Sequence, residues 1–398
     1  MRNRELSEAR GTASMTDDVV VVGGGVIGLA TARAVAKRGL RVTLIERGAV
    51  GAESSWAAGG MLAPQAEANR ANDFFEMACA SRDLYTTYAE SLREETGVDI
   101  ELERTGTLYL AFTEADEEDI AHRYQWQKYA GLTVEKLTGE EARRLEPCIS
   151  QDVRAALRFR LDVQVENRLL VKALAASLEK ARVRVLTQTK ACAVRIARGR
   201  VEGVETSQGF VAAHTVVLAA GAWTSFIERH SGGDALGCGA PPVGVKPVRG
   251  QMLCFKSARP LARHVLYSPR GYLVPRMDYR VLAGSTTEDA GFDKRVTNQG
   301  VRAIMANAAE ITPRALEHLQ LIDSWAGLRP RAADEYPVIG AASEIGNVFY
   351  ATGHYRNGIL LAPVTGDLIA DLIMHRAVPS WLNAFSPARF RHAATGTI

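Results

Sequence analysis

The sequence predicts an α/β protein in which a Rossmann-like dinucleotide-binding domain is interrupted by an inserted α+β domain built on a mixed, largely antiparallel sheet. Three observations carry this. Val19, Val20, Val21 and Val22 form an unbroken apolar run of the kind that suits a parallel strand buried on both faces. Gly23, Gly25 and Gly28 follow at once, with G-x-G-x-x-G spacing, at the start of an apolar helix. Much later, residues 248–255, 264–268, 272–275 and 280–284 are short strand-like runs separated by turn residues, which is the pattern of antiparallel hairpins.

Each glycine of the first turn has its own task. Gly23 permits the tight turn, Gly25 lets backbone N–H groups approach a pyrophosphate, and Gly28 lets the helix pack close to the strand. Val26 and Ile27 open that helix, whose positive N-terminus suits phosphate. Residues 41–46 form the second strand, and its last residue, Glu46, lies about 20 residues beyond the glycines, where a carboxylate reaches a ribose hydroxyl. This constellation binds a dinucleotide without saying which one.

Beyond Glu46, residues 51–64 are rich in small side chains and read as a loop that can lie close to something flat. Helices are predicted over 72–95, 114–130, 165–182, 298–310 and 362–375, and Thr138 with Glu141 matches a capping box that opens a further short helix. Strands are predicted over 107–112, 191–196, 200–206, 215–218 and 347–351. The dinucleotide domain is accordingly assigned to 18–90, 146–225 and 325–390, and the inserted domain to 91–145 and 226–324.

Composition excludes several classes. The chain has 398 residues, 47% of them hydrophobic, with a net charge of only +3 and no basic run to track phosphates, so no nucleic-acid partner is expected. Residues 1–17 are polar, lack the apolar core of a signal peptide and read as a disordered extension, and the valine run is too short to span a bilayer. A cytoplasmic protein with no membrane partner is expected. Cys79, Cys148, Cys192, Cys238 and Cys254 are odd in number and contain no C-x-x-C pair, so they read as plain side chains, and no metal site is assigned.

Two further stretches give the chain a family likeness. Ser54-Ser55-Trp56-Ala57-Ala58-Gly59-Gly60-Met61 and the C-terminal turn Thr352-Gly353-His354-Tyr355-Arg356-Asn357-Gly358-Ile359-Leu360, taken with the first turn, resemble the D-amino-acid oxidase superfamily of flavoproteins. Within it the chain most resembles the glycine oxidases of thiamine biosynthesis, from about residue 18 to about residue 390. The resemblance implies an FAD-binding domain and a substrate domain, with FAD held non-covalently. Gly23, Gly25, Val26, Ile27, Gly28 and Glu46 would hold the ADP half, with Arg47 beside the ribose and Ser54 and Ser55 near the pyrophosphate or ribityl chain. Val194 would meet the adenine through its backbone, Ala220 and Gly221 would back the diphosphate, and Ala58, Gly59, Gly60 and Met61 would lie along the isoalloxazine. His354, Arg356, Asn357, Gly358, Ile359 and Leu360 would face the flavin edge where negative charge develops on reduction.

For the substrate, the resemblance makes Arg329 the carboxylate clamp, with Asp334 as its alternative salt-bridge partner. Tyr272 would add a hydrogen bond to the same carboxylate, and the backbone oxygen of Arg356 would accept one from the amine. Met61, Thr287 and Arg270 would border the pocket; the last two depart from the larger apolar residue and the histidine common at those places. The implied reaction passes a hydride from the glycine Cα to flavin N5, giving an imine and then glyoxylate and ammonia, while O2 is reduced to H2O2. The imine would go to a thiazole synthase, and the protein would be a homo-oligomer. Oxidation of sarcosine, longer N-substituted glycines or small D-amino acids is the near alternative. A flavin-linked dehydrogenase passing electrons to a partner, and a non-catalytic flavin-binding module, are alternatives of other classes.

Overall fold

The structure, a computed structural model, describes residues 16–231, 234–235 and 243–394. The expected extension at 1–17, up to residue 15, and Cys238 lie outside the described residues.

The four valines sit in the central strand Asp17–Val22, each less than 5% exposed, between the parallel strands Val42–Ile45 and Gly209–Leu218. Arg184–Leu186 and Val348–Thr352 extend the parallel set on either side. The helix Val26–Lys37 packs tightly on this layer because Gly28 has no side chain: a Cβ there would fall 1.8 Å from the Gly23 carbonyl oxygen. A second small residue, Gly366, brings the C-terminal helix Gly358–Ile373 against Ala30, leaving 2.7 Å between the Ala30 oxygen and the position of an added Cβ. An antiparallel meander, Ala191–Ala197, Arg200–Thr206 and Gly209–Leu218, completes most of this first sheet.

The second sheet has eight strands in the order Gln320–Arg331, Lys246–Lys256, Arg280–Gly284, Gly271–Pro275, Val265–Ser268, Thr107–Ala111, Ala155–Phe159 and Glu135–Thr138. Its neighbours run antiparallel apart from Val265–Ser268 with Thr107–Ala111, so the mixed, largely antiparallel sheet is as expected. Its limits are not. Ala155–Phe159 belongs here rather than with the first sheet, and Gln320–Arg331 runs across the expected boundary at 325 as one continuous strand. Glu228–Ser231, in turn, pairs with the first sheet. The reason is visible in burial: Ala155–Phe159 is covered on both faces, and Gln320–Arg331 opens with five exposed residues, so neither alternates as a half-buried strand does.

The helices Asp73–Thr96, Glu114–Tyr129, Asn167–Lys180 and Asn298–Ile311 stand where periodicity predicts them. Both halves of the Thr138–Glu141 capping box are formed. The last helix begins at Gly358, four residues earlier than its apolar period suggests, and contains Pro363. Among the described residues no helix is long and apolar enough to cross a membrane.

Candidate active site

A cavity of about 600 Å³ lies where the first sheet's glycine turn, the loop after Glu46, the C-terminal turn and the second sheet meet. Gly23, Gly25, Val26 and Ile27 line one end. An added Cβ at Gly23 would lie 2.4 Å from the Ala219 oxygen, and φ there is +112°, so only glycine fits the turn. Glu46 is fixed by two backbone donors, Gly24 N–H to Oε2 at 2.7 Å and Gly48 N–H to Oε1 at 2.8 Å. Ser55 accepts the Val26 N–H on its Oγ at 2.9 Å, and Ser54 donates to the Leu328 carbonyl, so both serines tie the loop down while lining the cavity. Arg47 pairs with Glu53 at 2.7 Å and stacks on Trp223, 3.7 Å from the ring centre. Ala220 and Gly221 form the facing wall, and nothing would meet a Cβ on Gly221 within 4 Å.

The middle of the cavity is formed by Ala58, Gly59, Gly60 and Met61 opposite His354, Arg356, Asn357, Gly358 and Ile359. Neither the Val26–Lys37 helix nor the Gly358–Ile373 helix has a side-chain cap or an acidic residue in its first turn. Both N-termini therefore turn their positive ends on the same space. His354 is buried, its Nε2 is 3.0 Å from the Thr365 hydroxyl, and burial pushes its pKa down to about 3. It is a neutral hydrogen-bonding residue.

Arg329 and Tyr272 line the cavity from the second sheet, on strands separated by Lys246–Lys256 and Arg280–Gly284. Arg329 lies opposite Val248 in the strand pair, and its guanidinium is laid across Gly250, where an added Cβ would fall 2.2 Å from Nη2. It donates from Nη2 to the Ser285 hydroxyl at 2.7 Å and from Nη1 to the Thr286 carbonyl at 3.0 Å. Among the described residues it forms no salt bridge; Asp334 pairs instead with Arg389 at 2.7 Å. Burial lowers the Arg329 pKa, yet a guanidinium stays charged. Tyr272 is 7% exposed, stacks with Tyr267 at 5.9 Å and points its hydroxyl at the Met252 sulfur, 3.4 Å away. Arg356 is 4.0 Å from Glu67, whose negative charge raises its pKa.

Five expected residues do not line the cavity, and the first, Gly28, is taken up by the close packing of its helix on Gly23. Thr287 is exposed and off the cavity; its neighbours Ser285 and Thr286 hold Arg329 instead. Arg270 is engaged by Asp116 at 2.8 Å and Glu310 at 2.7 Å, and does not reach the cavity. Val194 is buried in the core beneath the meander, and Thr189, Lys190 and Ala191, at the entry to its strand, line the cavity. Leu360 packs into the core behind Ile359. Residues missed from the sequence include Gly250, Glu67 and Trp223. Of these only Gly250 gave a signal, a glycine inside a strand run, which marks a close approach.

Two helix N-termini converging on one elongated cavity suit a cofactor that is negative at its diphosphate and gains negative charge at its ring, which is the signature of a flavin-dependent oxidoreductase. The residues present fit FAD: the glycine cradle leaves space for a diphosphate, and Glu46 is preset for a ribose. The chain belongs to the FAD dependent oxidoreductase family, whose profile matches residues 18–372. Glycine oxidase of Pseudomonas aeruginosa is 37% identical over 363 residues, 91% of this chain and 96% of that one. The crystal structure of glycine oxidase from Geobacillus kaustophilus matches with a TM-score of 0.88 and 35% identity, covering 94% of this chain and 98% of that one. A bifunctional protein ThiO/ThiG of Synechocystis sp. is 35% identical over 383 residues, 94% of this chain but 54% of that one.

Proposed function

We propose that this protein is a glycine oxidase, converting glycine to an imine that hydrolyses to glyoxylate and ammonia, with O2 reduced to H2O2. The observation that carries the reading is Arg329: a cavity-lining guanidinium held by a hydroxyl and a carbonyl, with no salt bridge among the described residues, beside the Tyr272 hydroxyl. A planar fork with free donors matches a carboxylate in bidentate fashion.

FAD supplies the hydride acceptor and the route to O2. The chain supplies orientation. Arg329 and Tyr272 hold the substrate carboxylate, which directs the Cα–H toward the wall formed by residues 58–61, and the Arg356 carbonyl is assigned to the amine. The substrate reacts as the free amine, and His354, neutral and bonded to Thr365, takes no proton. Little acid–base machinery is required, because placing the reactants supplies the rate. Glycine has five heavy atoms, so a ceiling of about 1.5 kcal/mol per atom limits its affinity to roughly the micromolar range.

Delivery of the imine to a thiazole synthase is part of this reading, supported by the bifunctional ThiO/ThiG relative. So is a cytoplasmic location, and so is assembly with further copies of the chain, the latter carried by the family resemblance. Peroxide release is the test, measured with glycine, sarcosine, N-ethylglycine and D-alanine. Glycine is expected to be oxidised with a kcat/KM at least equal to that of the others; peroxide from D-alanine alone, or none from glycine, would sink the proposal.

A further inference from the structure

Tyr272 and Arg329 stand on the second sheet, whereas residues 58–61, assigned to the flavin, follow from the first. Productive turnover needs both held in one geometry. The strand Gly271–Pro275 that carries Tyr272 runs directly into Arg276, a guanidinium only 5% exposed and turned toward that loop. Its Nη2 donates to the Gly59 carbonyl at 2.9 Å and to Asn167 Oδ1 at 3.2 Å. Its Nη1 donates to the Val165 carbonyl at 2.7 Å and to Gln164 Oε1 at 3.4 Å. The space for this fork exists because Gly60 lacks a side chain, a Cβ there falling 2.9 Å from Nη2.

The acceptors are themselves anchored. Asn167 donates to the Ser55 and Trp56 carbonyls at 2.9 and 3.1 Å, and Gln164 returns a bond to the Pro275 carbonyl at 3.0 Å. Trp325 donates to the Ala57 carbonyl and Ser54 to the Leu328 carbonyl, which ties the first turn of the same loop to the strand Gln320–Arg331 and leaves Gly59 to Arg276. All four acceptors are neutral and Nε has no partner among the described residues, so this buried cation is a costly way to gain stability. A rigid planar fork is, however, well suited to fixing several backbone segments relative to one another.

We propose that Arg276 is a positioning residue for the oxidation step: without touching substrate, it sets the reach between the carboxylate-binding pair Tyr272 and Arg329 and the Gly59 segment of the flavin loop. The inference rests on the glycine-oxidising reading above. It predicts damage confined to the step in which substrate and flavin meet.

The test is anaerobic stopped-flow reduction of the FAD-loaded enzyme by glycine, with reoxidation by O2 measured separately, in wild type and Arg276→Lys. The limiting reduction rate should fall roughly 100-fold, the scale of a displacement near 1 Å, while glycine affinity and the reoxidation rate stay within about threefold. An unchanged reduction rate, a loss confined to affinity, or equal losses in both half-reactions would overturn it. Should Arg276→Lys not fold with FAD, Asn167→Ala keeps the cation and removes one acceptor; about a tenfold selective loss is expected, and none overturns the proposal. A readout without turnover is the flavin difference spectrum induced by acetate, which should change shape in either variant at unaltered acetate affinity; an unchanged shape counts against the proposal. Wild-type flavin that glycine cannot reduce would remove the substrate reading alone, and the acetate spectra would still decide the role of Arg276.

Discussion

Arg329 reaches the cavity only because Gly250 lets its guanidinium cross the neighbouring strand. Gly250→Ala is therefore expected to displace the clamp and raise the KM for glycine about tenfold or more with FAD content unchanged, a result read from steady-state kinetics beside the flavin absorbance. Arg329→Ala removes charge-assisted bonds of about 1.5–3 kcal/mol each and should cut kcat/KM by 100-fold or more, whereas Tyr272→Phe, which gives up one bond, should cost roughly tenfold. Near wild-type kinetics in Arg329→Ala would remove it from the carboxylate. The pH profile belongs to the same residues. With the His354 pKa pushed down to about 3, its titration lies below the working range, and kcat/KM should rise with pH along a limb that follows the substrate amine across a series of amines. A limb that stays fixed while the amine changes would assign it to the enzyme. At this scale the sequence is legible where a motif fixes backbone and side chain together, as at Gly23, Glu46 and Gly358. It is not legible at Arg270, which Asp116 and Glu310, distant in the chain, hold away from the cavity, nor at Thr287, which lies exposed outside it.

The C-terminal helix shows how one element is kept usable despite its sequence. Pro363 has no N–H to give the Ile359 carbonyl, which is buried next to the cavity. The Tyr85 hydroxyl donates to that carbonyl, and the Ser81 hydroxyl to the Leu360 carbonyl at 2.6 Å, both from the long helix Asp73–Thr96. Tyr85→Phe leaves the Ile359 oxygen unpartnered and is expected to destabilise the fold by about 1–3 kcal/mol in urea unfolding, with FAD affinity falling as well, since this turn faces the cofactor. No change in the urea midpoint would show that water replaces the hydroxyl. The short helix Pro64–Glu67 is held in a similar way: Asp162, buried, accepts the Gln65 and Ala66 N–H groups at 3.2 and 3.0 Å, and burial pushes its pKa up to about 7. A carboxyl whose folded pKa lies above its unfolded value stabilises the fold at low pH and loses that contribution as pH rises through about 7. The melting temperature of wild type minus that of Asp162→Asn should therefore fall between about pH 4 and pH 7 and level off above; a constant difference across that range would show that Asp162 does not titrate there. Neither brace is legible in the sequence, because Tyr85 with Ile359 and Asp162 with Gln65 are contacts far apart along the chain, whereas the Thr138–Glu141 capping box, closed within four residues, is.

Among the described residues the two large sheets meet around the cavity, and the part of the fold legible in the sequence is the part in which strand follows turn follows helix. The valine strand, its glycine turn and the strand ending before Glu46 are contiguous, so periodicity and turn chemistry place them; Ala155–Phe159 and Gln320–Arg331 are defined by what they pair with, and local pattern does not mark them as strands. The same topology governs cofactor binding. The glycine turn and the Glu46 strand come from one end of the chain, Gly358 from the other and Met252 from the second sheet, so the cavity exists only in the folded chain and FAD has no comparable site on the unfolded one. Binding must then stabilise the fold by linkage, about 2.7 kcal/mol when free FAD stands at 100 times its dissociation constant. The purified protein is expected to be yellow, to release its flavin into the supernatant on denaturation, since no histidine or cysteine stands in the loop at 54–61 for covalent attachment, and to melt at a lower temperature once stripped. Calorimetry of the stripped protein across a series of FAD concentrations checks this, the melting temperature climbing steadily with the logarithm of free FAD. Flavin retained on the denatured chain, or a melting temperature indifferent to FAD, would contradict a site assembled from both ends of the sequence.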